Sequence, residues 1–137
     1  MTGVLLYNLQ REKLLKIKFI LFKLGLAARE VSPAEFGRPV GCLAGLEGFE
    51  STQEAPDESF DEEMLVLCGL SKTQFSALLN ALRQNRCGVA LKAVLTGTNA
   101  AWPSPRLYRE LQAEHEALQK VKFKDAGEKN AHSRKKS

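Results

Sequence analysis

Thr96, Thr98, Asn99 and Trp102 lie within seven residues of one another in the stretch LKAVLTGTNAAW, residues 91–102. Hydroxyl and amide groups supply neutral hydrogen-bond donors and acceptors, and the only tryptophan of the chain adds a flat apolar surface beside them. Such a set suits recognition of a small molecule better than covalent chemistry, because no side chain from 96 to 102 is ionisable. The remaining groups that could react are scattered. His132 sits in a lysine-rich tail, and His115 shares a helical side with Leu111 and Leu118, where a partly buried helix residue is expected rather than the base of a cysteine–histidine pair.

Cys42, Cys68 and Cys87 are odd in number, have no C-x-x-C spacing and lie in or beside apolar runs. This is the usage of reduced, structural thiols in a cytoplasm, and they are too dispersed for zinc. Carboxylates crowd between residues 47 and 63, but without the D-x-D-x-D-G order of a calcium loop. Neither a G-x-G-x-x-G turn nor a P-loop is present. No metal and no cofactor is expected.

The elements that position these residues follow from apolar spacing. Residues 4–7 form a short continuous apolar run, the pattern of a strand buried on both faces, and Leu14, Ile17, Leu21 and Leu24 then recur at helical spacing. Gly25 ends that helix, residues 26–31 resume as a strand, and residues 34–46, broken by glycines and a proline, predict only short helical turns. The order then repeats. Residues 64–68 are a strand; Ser71 and Gln74 form an S-x-x-Q capping box before a helix carrying Phe75, Leu78, Leu79 and Leu82. Residues 89–96 are a strand, and Ser104 with Pro105 opens a last helix bearing Leu107, Leu111 and Leu118.

The reading is therefore an α/β protein: two βαβα halves, residues 1–46 and 64–119, building one domain around a small four-stranded, mostly parallel sheet. If the halves meet along their first strands, the order is 2-1-3-4 with all strands parallel. A ferredoxin-like antiparallel α+β sheet is the alternative. Charge divides along the same boundaries, +4 over 1–46, −8 over 47–63, +3 over 64–118 and +5 over 119–137. Residues 47–63 read as a solvated acidic linker, and 120–137 as a disordered basic tail that attracts nucleic acid only weakly. The first helix, with Lys13, Lys16, Lys18 and Lys23 among large apolar residues, reads as packed on the sheet with its lysines in water. No run is long enough to span a bilayer and no signal peptide is recognisable, so a cytoplasmic location without a membrane partner is expected.

In an open parallel sheet, ligands bind beyond the carboxyl ends of the strands. On that rule Asn8, Gly69, Thr96, Thr98, Asn99 and Trp102 are the candidate ligand-binding residues, with Asn99 and Trp102 expected in one cleft facing Asn8 or Gly69.

The stretch LKAVLTGTNAAW, with Glu110, Leu111, Glu114 and His115 downstream and VLLYNL and PVGCLAGL upstream, resembles a bacterial family of domains of unknown function. Its most specific element is LKAVLT-x-TN-x-x-W, matched by residues 91–96 with Thr98, Asn99 and Trp102; the family pattern often has proline where this chain has Gly97. The resemblance implies membership and no activity. From the residues themselves, a non-catalytic binding or regulatory module using the strand-end crevice is expected, a small enzyme using the same crevice is the alternative, and RNA association through the tail is the third reading.

Overall fold

The computed structural model of the chain describes residues 2–46, 48 and 59–131, with side chains as far as residue 118. Most of the segment read as an acidic linker, and residues 132–137 of the segment read as a tail, lie outside the described residues. The elements are β1 (Gly3–Tyr7), α1 (Arg11–Lys23), β2 (Ala27–Val31), α2 (Val40–Leu43), β3 (Met64–Cys68), α3 (Lys72–Gln84), β4 (Leu91–Val94) and α4 (Ser104–Ala131). Helical backbone thus continues through residues 120–131. Short 3-10 turns at Pro33–Glu35 and Asn99–Ala101 precede α2 and α4, so each half runs strand, helix, strand, 3-10 turn, helix.

β1 and β3 are buried along their whole length, which is why VLLY and MLVLC carry no polar alternation. They lie at the centre of a four-stranded sheet of order β2-β1-β3-β4. β1 pairs β2 in parallel and β3 pairs β4 in parallel. The central pair is antiparallel, with Gly3 opposite Cys68 and Tyr7 opposite Met64. The order is the expected one; the all-parallel arrangement is not, and the ferredoxin-like alternative is excluded by the two parallel pairs.

Crossover handedness accounts for the reversal. Right-handed β-helix-β units that leave a parallel centre in opposite directions put their helices on opposite faces of the sheet. Reversing one unit brings both helices to the same face. Here Ile17, Ile20 and Leu21 of α1 and Leu78 and Leu82 of α3 pack together on Val4, Leu6, Leu65 and Leu67. The other face, with Leu5, Tyr7, Met64, Val66 and Cys68, is covered by Phe36, Val40 and Leu43 from the first half and Leu107 from α4. The layers are helix pair, sheet, and the two returning segments, which meet at a bridge between Pro39 and Pro103.

The two halves turn their chain at equivalent points. Asn8 after β1 and Gly69 after β3 both have positive φ, 59° and 71°. Gly25 after α1 and Arg86 after α3 do as well, 73° and 56°, where each helix closes with a backbone bond from Leu26 N–H to Leu21 O and from Cys87 N–H to Leu82 O.

The end of the acidic segment is held in the core. Phe60 is 6% exposed and lies stacked between Phe36, 4.7 Å between ring centres, and Tyr108, 4.4 Å. Glu63 reaches Lys13 of α1 at 2.6 Å, and Glu62 accepts from the hydroxyl of Tyr108.

Candidate functional site

The antiparallel centre divides the sequence-derived site. Carboxyl ends of β1 and β2 point one way and those of β3 and β4 the other, so Asn8 and Gly69 lie a strand's length apart, at opposite ends of the two central strands. Asn8 is a clamp: its amide donates to Phe60 O at 2.9 Å and to Glu62 O at 3.0 Å, pinning the residues that lead into β3. Its left-handed backbone, which asparagine tolerates better than most residues, lets the chain turn out of β1. Gly69 meets the same backbone requirement after β3 without a side chain. Neither lines the cleft that holds Trp102.

Thr96, Thr98, Asn99 and Trp102 do come together, where β4 ends and α4 begins. The polar pair Thr96 and Asn99 is turned inward on itself. Asn99 Oδ1 accepts from Thr96 N–H at 2.8 Å, Thr96 Oγ1 accepts from Asn99 N–H at 3.0 Å, and Asn99 Nδ2 donates to Val94 O at 3.0 Å. Asn99 is 9% exposed, so these bonds close the turn and occupy the amide. Asn99→Ala should therefore lower stability by about 1–2 kcal/mol, since two backbone groups lose a partner and the turn loses its cap. Urea unfolding measures this, and an unchanged midpoint would mean that the turn holds without the amide.

Thr96 is exposed but its hydroxyl is taken by the Asn99 N–H, so Trp102 and Thr98 are the members whose side chains stay available. Trp102 is half-buried; its carbonyl accepts from Val40 N–H at 2.8 Å, and the guanidinium of Arg106 lies 4.4 Å from the ring centre. Thr98 is exposed. The cleft they border, of about 300 Å³, continues along α4 past Glu110 and Glu114 and is closed at the edge of the sheet by Lys92. Partial burial holds the Lys92 ammonium below the ordinary lysine range, and Nζ donates to Val89 O.

Lys92 and Arg106 were missed in reading the sequence, and Glu110 and Glu114 entered only as part of the family resemblance, not as site residues. The signal available was the spacing of Arg106, Glu110 and Glu114, each one turn after the last on the helix opened by Ser104 and Pro105.

Residues 63–118 match the family model described as a domain of unknown function (DUF3783). The match runs from the start of β3 through the first part of α4 and so contains the whole of this cleft. No curated protein and no solved structure matches the chain.

The cysteines stand apart from the cleft. Burial pushes the Cys68 thiol up to about 11, and Cys87 is likewise buried, its sulfur 3.3 Å from Asn85 O. Burial first of all also raises the Tyr7 phenol above its ordinary range, against the opposing hydrogen bond to the Ser104 hydroxyl at 2.7 Å, a contact that ties β1 to the first residue of α4. Among the described residues no group of three histidine, cysteine, aspartate or glutamate side chains is placed to hold a metal, and no helix is long and apolar enough to cross a membrane.

Proposed function

We propose that this chain is a cytoplasmic, non-catalytic binding module whose ligand surface is the cleft between the end of β4 and α4. The observation that carries the reading is the arrangement around Trp102. A half-buried indole is held by Arg106 on one side, with the free hydroxyl of Thr98 and the carboxylates of Glu110 and Glu114 set along the same concavity. The lining mixes apolar Val94, Leu107, Leu111 and Trp102 with about as many convergent polar and charged groups, more polar than is usual for a small-molecule site, and about 300 Å³ is the lower end of the usual range. The ligand would be small, with a flat or apolar body for the indole and a donor or cationic group for the two glutamates. The buried, protonated Cys68 and the turn-bound Asn99 supply no activated nucleophile to that concavity, which supports binding over the alternative of a small enzyme.

Because the chain contains one tryptophan, its fluorescence reports this cleft alone. Native mass spectrometry of the purified protein, followed by titration of any co-purified compound, should give saturable change in Trp102 emission together with a raised melting temperature. Thr98→Val and Glu110→Gln should weaken the titration by about tenfold, the equivalent of one hydrogen bond to a charged or buried group, while both side chains are exposed enough to leave unfolding unchanged. A compound that raises the melting temperature but leaves the emission of Trp102 unmoved would place the site elsewhere.

A further inference from the structure

The face of the molecule opposite this cleft carries an apolar ridge that the fold does not use. Leu15, Phe19 and Phe22 of α1 follow one another at i, i+4 and i+7 and are 53%, 61% and 79% exposed, whereas Ile17, Ile20 and Leu21 of the same helix are buried against the sheet. With 3.6 residues per turn, Arg11 and Lys18 fall on one shoulder of the ridge and Lys16 and Lys23 on the other. The Lys23 ammonium lies 5.5 Å from the centre of the Phe19 ring. Among the described residues Arg11, Lys16 and Lys23 have no ion-pair partner; Lys18 has Glu30 at 2.7 Å. α3, the neighbour in this layer, adds exposed Lys72 and Arg83, with Arg86 just beyond it, and no acidic residue. Glu12 is the only acidic side chain on the two helices.

We infer that this face docks on an anionic lipid surface, with Leu15, Phe19 and Phe22 inserted among the upper acyl chains and the flanking cations at the level of the phosphates. The depth order decides the occupant. On a convex helix the crest reaches farthest and the shoulders stop short, so apolar groups at the crest and long basic side chains at the shoulders match acyl chains beneath anionic headgroups. A second copy would set the same cations against each other. RNA would neutralise the cations but offers nothing to Leu15. The expectation of no membrane partner rested on the absence of a spanning run, which says nothing of a helix lying on the surface. Neither apolar insertion nor charge alone gives firm attachment, so both must be present.

The test is co-sedimentation of the full chain with phosphatidylcholine vesicles, with and without phosphatidylglycerol. Binding is expected to the anionic vesicles, to fall at about 0.5 M salt, and to drop at least tenfold in both Phe19→Ser/Phe22→Ser and Lys16→Glu/Lys23→Glu. These positions are exposed, so circular dichroism and melting temperature should match the parent and exclude a folding defect. Equal partition onto neutral and anionic vesicles, no partition onto either, or anionic binding that survives the serine variant would each overturn the inference. The last result would assign the contact to another basic segment. A loss of dimer or of RNA binding in the serine variant, with vesicle binding absent throughout, would overturn it in favour of a protein or RNA partner. None of these outcomes bears on Trp102, which lies across the sheet.

Discussion

Gly3→Ala should destabilise the protein by about 3 kcal/mol, lowering the melting temperature by roughly 10 °C. A methyl group at this position would stand 2.3 Å from the carbonyl oxygen of Ala27 and 2.8 Å from its carbonyl carbon, so the obstacle is backbone and cannot swing aside. Gly3 pairs with Ala27 at the start of the parallel β1–β2 ladder and faces Cys68 on the other side. A central strand fixed on both flanks has nowhere to shift. Replacing glycine by alanine also removes conformational freedom from the unfolded chain, which stabilises by about 0.4–1 kcal/mol where the new side chain fits. Here the overlap is with main chain and outweighs that gain. Thermal unfolding followed by circular dichroism checks the sign; a variant as stable as the parent would show that β2 can move away from β1.

Phe60→Ala should cost about 3–5 kcal/mol, the range for removing a buried aromatic ring. Phe60 touches both halves of the chain. It stacks on Phe36 and Tyr108 and lies 5.7 Å, ring centre to ring centre, from Tyr7, while its carbonyl accepts from the Asn8 amide. Loss of the ring opens a cavity at the junction of β1, the segment before α2, and α4. Phe60→Leu should recover about half of the loss by filling part of that volume, without the aromatic contacts. Urea unfolding of the two variants measures the pair of effects. Equal stability of the alanine variant and the parent would mean that Phe36 and Tyr108 close on each other in its place.

Much of the architecture is legible in local patterns, because the forces behind them act over a few residues. VLLY and MLVLC are continuous apolar runs and become the two central strands. S-x-x-Q becomes a reciprocal capping box, with Ser71 N–H donating to Gln74 Oε1 at 2.8 Å and Gln74 N–H to Ser71 Oγ at 3.1 Å. The equal spacing of the halves predicts two β-helix-β units, and joining their first strands predicts the strand order. Strand direction is different. A strand buried on both faces has the same composition beside a parallel or an antiparallel neighbour, so the reversal of β3 against β1 depends on which face its helix can cover. That reversal divided the proposed crevice, leaving Asn8 and Gly69 as turn residues at opposite ends of the central strands.

The use of individual side chains was also settled by packing. REKLLKIKFILFK has large apolar residues on more than one side of the helix; the periodic set Leu14, Ile17, Leu21 and Leu24 is the one that packs toward the sheet with Leu78 and Leu82 of α3, but that Leu15, Phe19 and Phe22 stay outside was not legible from spacing. Phe60, surrounded in sequence by aspartate and glutamate, reads as part of a solvated segment until Phe36 and Tyr108, distant in the chain, supply the walls of its slot. Asn99 was visible as a polar residue at a strand end, but whether its amide faces a ligand or its own turn depends on distances to Thr96 and Val94 that only the folded backbone sets. The sequence by itself determined the four strands, the first three helices and the start of the fourth, though not its continuation through residues 120–131, and that Trp102 would stand beside the end of a strand. Tertiary structure decided the direction of those strands and which polar groups remain free, because both depend on contacts between residues far apart in the chain.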